Sequence, residues 1–375
     1  DYVRDMLKIG KTEGFRITLQ VPADTVPEEL KQRLLNDIPE FKDMSELEQV
    51  VEVLPASMRG YVWGEDNKWV TSDGNKIKTL PPINQDIIKT VKTFTTADLQ
   101  LKKVDSGFET EGHHAVGLPS SDPQSLVDEL STQGNVNRRN ERLSAAALAK
   151  ATGKELVVTR TYNEGGNIIN GTLPNGESYA VVGRDGLLVS VFHLDEEFKK
   201  DPSKVPEFEK LDEKVKEMEA NGQLDDKSLL EQTQKRLEAI SYFTDGSDKV
   251  SETKKFLAKM EFTKQVFADD AAVPLKNMIF VPQPEFHLDM HMRPFKPGTM
   301  LFNDYSENIK LVEKALKESD IKDWEKKELE SMLDYCKNMK ETMDPVMNKI
   351  AETLEKSGIK AIPSPGVMEA RMGQY

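Results

Sequence analysis

The stretch FHLDMHMRP places three ionisable side chains, those of His287, Asp289 and His291, at alternate positions. Alternate side chains of an extended segment point to one face, so we predict a strand whose polar face carries all three. A row of ionisable groups is costly to bury without a purpose. The row indicates a solvated strand face, a metal site, or a histidine general acid/base beside a carboxylate that binds a cationic substrate.

The stretch YVWGEDNKW brackets two acids, Glu65 and Asp66, with two tryptophans, Trp63 and Trp69. A carboxylate between aromatic rings is a good receptor for a cation, because it pairs with the charge while the ring faces add a cation–π attraction. An exposed β-turn uses the same residue types. The stretch is therefore typical of a cation site or of a plain turn.

The stretch YNEGGNIINGTLPNGESYAVVG begins with a single carboxylate, Glu164, followed by two glycines. The runs NIINGTL and SYAVVG flank Pro174-Asn175-Gly176, which predicts a β-hairpin with a tight turn. The two glycines either serve as turn residues or let a ligand approach the backbone closely. Glu164 is therefore a candidate ligand-binding acid at the start of a hairpin.

The composition is that of a soluble globular protein: 375 residues, 31% charged and 37% hydrophobic, with a net charge of −14. No stretch supplies the basic face that nucleic-acid binding needs, and no apolar run reaches the roughly 18 residues of a membrane span. The single cysteine, Cys336, excludes an intramolecular disulfide. We expect a soluble cytoplasmic or secreted bacterial protein and, because the chain begins with Asp1, a processed or partial one.

The predicted elements alternate between strands and helices. Strands are predicted at GFRITLQV, VVEVLP, ELVVTR, VSVFHLD, NMIFVP, TMLF and GIKAIP. A helix is predicted at residues 140–152, ending at Gly153, and residues 195–270 have a charged helical pattern. This order predicts an α/β or α+β architecture with one additional helical subdomain.

The order W-x-x-D, then E-G-G-N, then H-x-D resembles the guanidine-modifying superfamily with the pentein, or α/β-propeller, fold. The resemblance lies in WGED (63–66), in NEGGN (163–167) with the strand YAVVGRD after it, and in HLD (287–289). The family includes arginine, agmatine and protein-arginine deiminases and amidinotransferases. The resemblance implies a pentein-type propeller of repeated ββαβ-like units, with residues 1–375 as one catalytic domain and 195–270 as a charged helical insertion.

The resemblance also implies roles for individual residues. His287 would be the general acid/base, helped by Glu164. Asp66 and Asp289 would bind the guanidinium nitrogens beside the Trp63 ring, because a planar fork of donors suits paired carboxylates. The partner would be a small cationic guanidine or the arginine side chain of a protein, with no cofactor and no metal. A cysteine thiolate would attack the guanidinium carbon and expel ammonia.

The nucleophile departs from the family pattern. In the family this cysteine follows the last strand in a glycine-rich loop, but here GIKAIP is followed by SPGVMEARMGQY. Cys336 keeps helical spacing with neighbouring leucines and methionines, which predicts a buried position on an apolar helix face. We therefore expect a deiminase, a hydrolase acting on the C–N bonds of amidines, whose nucleophile lies outside this chain.

Three alternatives stay open from the sequence: a guanidinium-binding protein without activity, an amidinotransferase, and a metallohydrolase that uses His287, Asp289 and His291. The last is the weakest, because H-x-x-x-H without the helix and its glutamate is not the metalloprotease motif. For a substrate with a carboxylate, Arg184 and Arg293 are both candidate partners.

Overall fold

The computed structural model describes residues 2–22, 24–57, 68–70, 75–81, 83, 85–96, 141–162, 165–282, 288–317 and 321–365. The chain forms two compact units, one of Asp1–Leu80 with Ser131–Thr159 and one of Pro81–Leu130 with Arg160–Tyr375. Both contain helices and small sheets, which confirms the mixed α/β class. A search of the described helices finds none with the length and apolarity needed to cross a membrane.

Helices and strands up to residue 158 are, in chain order, α1 (Tyr2–Glu13), β1 (Ile17–Pro22), α2 (Pro27–Asp37), α3 (Met44–Val50), β2 (Val51–Ser57), β3 (Lys68–Val70), β4 (Lys76–Thr79), α4 (Gln85–Thr96), α5 (Glu141–Thr152) and β5 (Glu155–Val158). Those after it are β6 (Ile168–Thr172), β7 (Ser178–Gly183), α6 (Arg184–Lys200), α7 (Leu211–Ala220), α8 (Lys227–Ala239), α9 (Lys249–Ala271), β8 (Met278–Val281), β9 (Met292–Lys296), β10 (Thr299–Asn303), α10 (Tyr305–Ala315), α11 (Asp323–Lys356) and β11 (Lys360–Ser364).

Three sheets repeat one topology. In each, two strands form an antiparallel pair, and a third strand pairs parallel with the second: β3–β4–β5, β6–β7–β8 and β9–β10–β11. Parallel neighbours need a crossover connection, and helices lie between the second and third strands of every sheet. The described elements therefore contain a ββαβ-like unit three times, with β1 and β2 as a further parallel pair.

The first unit has a core between its helices and strands. Its fully buried apolar side chains include Leu7, Leu47 and Val51. Helix α5 packs on β2 and β4, where Ala145 and Ala149 contact Ile77. The helix predicted at residues 140–152 is confirmed, and Gly153 has φ +65°, the left-handed conformation that commonly ends a helix.

The second unit buries the faces of two sheets and the carboxyl-terminal half of α11 in one cluster. This cluster contains Ile169, Tyr179, Val181, Ile279, Val281, Leu288, Met292, Met300, Phe302, Val346, Met347, Ile350, Leu354 and Ile359. Tyr179 faces Gly171 across the hairpin, and a Cβ added at Gly171 would lie 2.3 Å from the tyrosine ring. The glycine therefore makes room for the largest side chain of this core.

All the regular elements between β7 and β8 are helices. The strand predicted at VSVFHLD is wrong, because these residues lie in α6. Every residue from Asp185 to Asp195 is buried, so the helix lacks the polar face that gives an amphipathic helix its 3.6-residue period. Burial also lowers the pKa of His193, which lies in this stretch.

The turns of two hairpins meet within the second unit. The predicted turn at Pro174-Asn175-Gly176 is confirmed: the Gly176 amide donates to Leu173 O at 2.9 Å, and Gly176 has φ +87°. The Gly298 amide in the β9–β10 turn donates to Thr172 O at 2.7 Å. A Cβ at Gly298 would lie 2.6 Å from the Pro174 ring, so this contact needs glycine.

We predict that Gly298→Ala lowers the free energy of unfolding by about 3 kcal/mol, since alanine is strained at φ +67° and also meets Pro174. Gly358→Ala is the matched control, because Gly358 has φ +79° but nothing within 4 Å of the added Cβ. It should cost about 1 kcal/mol. Urea denaturation measures both, and equal losses would contradict the steric contact.

Candidate functional site

Of the five residues to which the family resemblance gives a role, Asp289 lies within the described residues. Trp63, Asp66, Glu164 and His287 lie outside them. The geometry of the candidate site therefore comes from Asp289 and from the residues that directly follow the other motifs in the chain.

The three polar motifs occupy the same place in the repeated unit. Asp66 comes two residues before the first residue of β3, Glu164 four residues before β6, and Asp289 three residues before β9. Each motif thus directly precedes the first strand of an antiparallel pair. Motifs with no sequence similarity to one another are equivalent in topology.

Strand pairing collects polar residues at one edge of the β6–β7–β8 sheet. Ile168, the first residue of β6, pairs with Val182 near the end of β7, and Gly183 pairs with Val281, the last residue of β8. The turn Gly165–Asn167 and the start of α6 therefore lie at the edge where the two parallel strands end. Ligands of open α/β sheets bind at this edge.

The β9–β10–β11 sheet has the same arrangement. Met292 pairs with Phe302, and Asn303 pairs with Ser364. The segment that carries Asp289 therefore lies at the edge where β10 and β11 end.

The two edges adjoin. The single-turn helix Gly165–Asn167, directly after Glu164, contacts the single-turn helix Leu288–Met290, directly after His287. Gly166, Asn167 and Leu288 are buried at this junction. The residues that follow these two motifs are thus neighbours in the fold, although the motifs lie more than a hundred residues apart in the sequence.

Asp289 lies on a 3₁₀ turn, so the prediction of an extended segment from His287 to His291 is wrong for its described part. The His291 amide donates to Leu288 O at 2.9 Å and closes the turn. A strand would have placed Asp289 and His291 on one face, whereas here Asp289 is partly buried and His291 is 1% exposed. The two residues therefore do not form the polar face of a strand.

Asn303 fixes this turn and was missed by the sequence analysis. Its Nδ2 donates to Met290 O at 3.2 Å, and its backbone amide donates to His291 O at 2.8 Å. The signal in the sequence was a polar Asn-Asp pair directly after the apolar strand TMLF, a usual place for a functional loop.

A cavity of about 210 Å³ opens beside this turn. Its polar lining residues are Asp289, His291, Arg293, Asn303 and Ser364. The carboxylate, amide and hydroxyl offer acceptors to a donor-rich ligand, and the arginine offers donors to an anionic group.

Arg184, the first residue of α6, carries a charge that is poorly solvated. Its Nε and Nη2 atoms are buried and have no hydrogen-bond partner among the described residues. Burial lowers the pKa of Arg184 to about 10, against the opposing effect of Asp185. Arg293, the other arginine considered from the sequence, is an exposed residue of β9 and lines the same cavity as Asp289. The two arginines therefore differ in burial: unpaired buried nitrogens are found at Arg184, and cavity exposure at Arg293.

Cys336 is fully buried on α11 against Tyr305, Met339 and Met343, as the helical spacing predicted. Burial raises the pKa of its thiol, which disfavours the thiolate that a nucleophile needs.

The described residues contain no group of three or more His, Cys, Asp or Glu side chains that could hold a metal ion. His287, which the metallohydrolase alternative requires, lies outside these residues.

No family model, curated protein or solved structure matches the chain.

We predict that Asn303→Ala loosens the turn that carries Asp289, because Met290 O loses its donor. The free energy of unfolding should fall by about 1 kcal/mol, and the His291 amide should exchange faster with solvent deuterium. Asn170→Ala, at an exposed position on β6, is the control and should leave both unchanged. Unaltered exchange in Asn303→Ala would contradict the role given to Asn303.

Proposed function

We propose that this chain belongs to a guanidino-group hydrolase, a deiminase, on a pentein-type α/β propeller. The observation that supports this best is the shared topological position of WGED, NEGGN and HLD. Each motif comes directly before the first strand of its own copy of the repeated three-stranded unit. A propeller repeats such units radially around a centre. Polar motifs at equivalent edges would then surround one ligand.

The carboxylates would recognise the guanidinium group. A guanidinium is a planar cation with donors in a fixed fork, and paired carboxylates satisfy two sides of that fork at once. In the proposed site Asp66 and Asp289 fill this role, with the Trp63 ring beside the cation. The position of Asp289 at the cavity, on a turn held by Asn303, supports its part.

The proposed reaction proceeds through a covalent adduct. A cysteine thiolate adds to the guanidinium carbon, the C–N bond breaks, and ammonia leaves with a proton from His287. Water, deprotonated by His287, then attacks the same carbon, and the thiolate leaves to give a ureido product. Glu164 would orient His287 and stabilise its protonated form. The buried thiol of Cys336 does not fit the nucleophile, so the proposal requires another cysteine.

An anionic group on the substrate would bind Arg184. A buried guanidinium with unsatisfied donors is costly, and a carboxylate relieves that cost with charge-assisted hydrogen bonds. Arg184 also starts a 17-residue helix, whose amino-terminal dipole favours an anion at the same place. This supports a substrate that carries a carboxylate, as free arginine does, over one that lacks it.

Equilibrium binding tests the proposed site without depending on the nucleophile. We expect isothermal titration of this 375-residue chain to show binding of a guanidine from a panel of arginine, agmatine and an arginine peptide. Asp289→Asn should weaken that binding roughly tenfold or more, because a charge-assisted pair is lost. Asp245→Asn removes the same charge at an exposed position and should bind like the unaltered chain. Binding that is absent, or insensitive to Asp289→Asn, would refute the proposal.

A second titration tests Arg184. Arg184→Gln should weaken binding of arginine roughly tenfold, while agmatine, which lacks the carboxylate, should bind as before. Arg33→Gln, at an exposed position on α2, is the control and should change neither affinity. Equal effects of Arg184→Gln on the two ligands would show that Arg184 does not contact the carboxylate.

A further inference from the structure

The cavity beside the Asp289 turn contains charges of both signs. Besides the Asp289 carboxylate, its lining includes Arg293, which carries a cationic guanidinium group. Two opposite charges in a cavity of about 210 Å³ can each pair with a charged group of one small ligand. The cavity is therefore more complementary to a zwitterion than to a simple cation.

Strand pairing places Arg293 on the cavity side of the β9–β10–β11 sheet. Arg293 pairs with Leu301 of β10, whereas the neighbouring pair, Met292 with Phe302, belongs to the buried core cluster. Successive side chains of a strand point to opposite faces, so Arg293 and Leu301 lie on the face away from that core. Both residues line the cavity, which therefore opens on this face.

Two neutral polar side chains continue this face. Asn303 lies two residues after Leu301 on β10 and pairs with Ser364 at the end of β11, and both line the cavity. The Asn303 amide nitrogen donates to Met290 O, which leaves its Oδ1 atom as an acceptor for a ligand. Together with the Asp289 carboxylate, this oxygen and the Ser364 hydroxyl offer acceptors to the several N–H groups of a guanidinium.

The Arg293 side chain has donors available for a ligand. Within the described part of the chain it forms no hydrogen bond or ion pair. A guanidinium presents its donors in a planar fork that binds a carboxylate through two parallel hydrogen bonds. Because Arg293 is exposed, solvent and salt screen its charge, so its effect is confined to groups bound in the cavity.

We infer that Arg293 favours guanidines that carry a carboxylate close to the guanidinium group, an inference that rests on the proposed function. The guanidinium of such a ligand binds Asp289 while its carboxylate binds Arg293. Only three residues separate Asp289 from Arg293 in the chain, and both line one small cavity. A short guanidino acid such as guanidinoacetate can therefore contact both. A longer substrate such as arginine places its carboxylate farther away, where the proposed partner is Arg184.

The same charge disfavours a guanidine that has no carboxylate. A guanidinium bound to Asp289 lies in the field of Arg293, and like charges repel. Removal of the Arg293 charge should therefore weaken the binding of one ligand class and strengthen the binding of the other. A loss of folding or of cavity shape would instead weaken the binding of both classes.

The test compares guanidinoacetate with methylguanidine, which differs from it by the carboxylate alone. Isothermal titration measures the affinity of the 375-residue chain and of its variants for each ligand. Arg293→Gln removes the charge, and Arg293→Lys keeps the charge but loses the planar fork. Lys296→Gln is the matched control, because it removes a positive charge from an exposed position on the same strand, outside the cavity lining.

We expect the unaltered chain to bind guanidinoacetate about tenfold more tightly than methylguanidine. Arg293→Gln should weaken guanidinoacetate binding about fivefold and strengthen methylguanidine binding about twofold, so that the preference disappears. Arg293→Lys should keep part of the preference, and Lys296→Gln should keep all of it.

Two kinds of failure are distinct. If Asp289→Asn weakens the binding of both ligands but Arg293→Gln leaves their affinity ratio unchanged, the inference is wrong and the proposed function stands. The inference is also wrong if arginine or agmatine binds and guanidinoacetate does not. Absence of binding by every guanidine, or binding that is insensitive to Asp289→Asn, would instead overturn the proposed function.

Discussion

A parallel strand pair closed by a helical crossover is the constraint on which the three sheets depend. Parallel hydrogen bonding makes the returning strand run in the direction of the hairpin's second strand. The start of the hairpin and the ends of the other two strands then share one edge. Asn167 and Arg184 meet at such an edge in one sheet, and Asp289, Asn303 and Ser364 in the next. A site needs no contiguous motif when topology brings its parts together.

The helical connections between the parallel strands differ far more in their number of helices than the sheets differ in their strands. Between β10 and β11 the chain uses α10 and the long α11, whose apolar face fills the core below the sheet. Between β7 and β8 it uses α6 to α9. Lengthening a closed loop costs little entropy, about 0.6 kcal/mol per doubling, so a helical region can be added without disturbing strand register. This region also contacts the chain between β5 and β6, since Asp270 accepts a hydrogen bond from Thr161.

This helical region buries several polar side chains, which must therefore be paired with one another. The Lys259 ammonium lies between Asp195 and the Tyr242 hydroxyl, and burial raises the pKa of Tyr242. A buried ion pair adds little net stability, but it disfavours packings that leave either charge unpaired. Specific partners of this kind fix which helix faces pack together.

The sequence by itself determined most of the local elements and named the residue types that are candidates for a cation site. Turn residues and alternating β-formers located the hairpin around Asn175, and periodicity located α5 and the buried Cys336, because backbone preferences and apolar patterns are local. Tertiary structure alone decided the rest. It made VSVFHLD helical, since complete burial removes the polar face that identifies a helix, and it folded the Asp289 segment into a turn held by Asn303, a partner supplied by a neighbouring strand. Contacts between distant residues depend on the fold, and no local pattern records them.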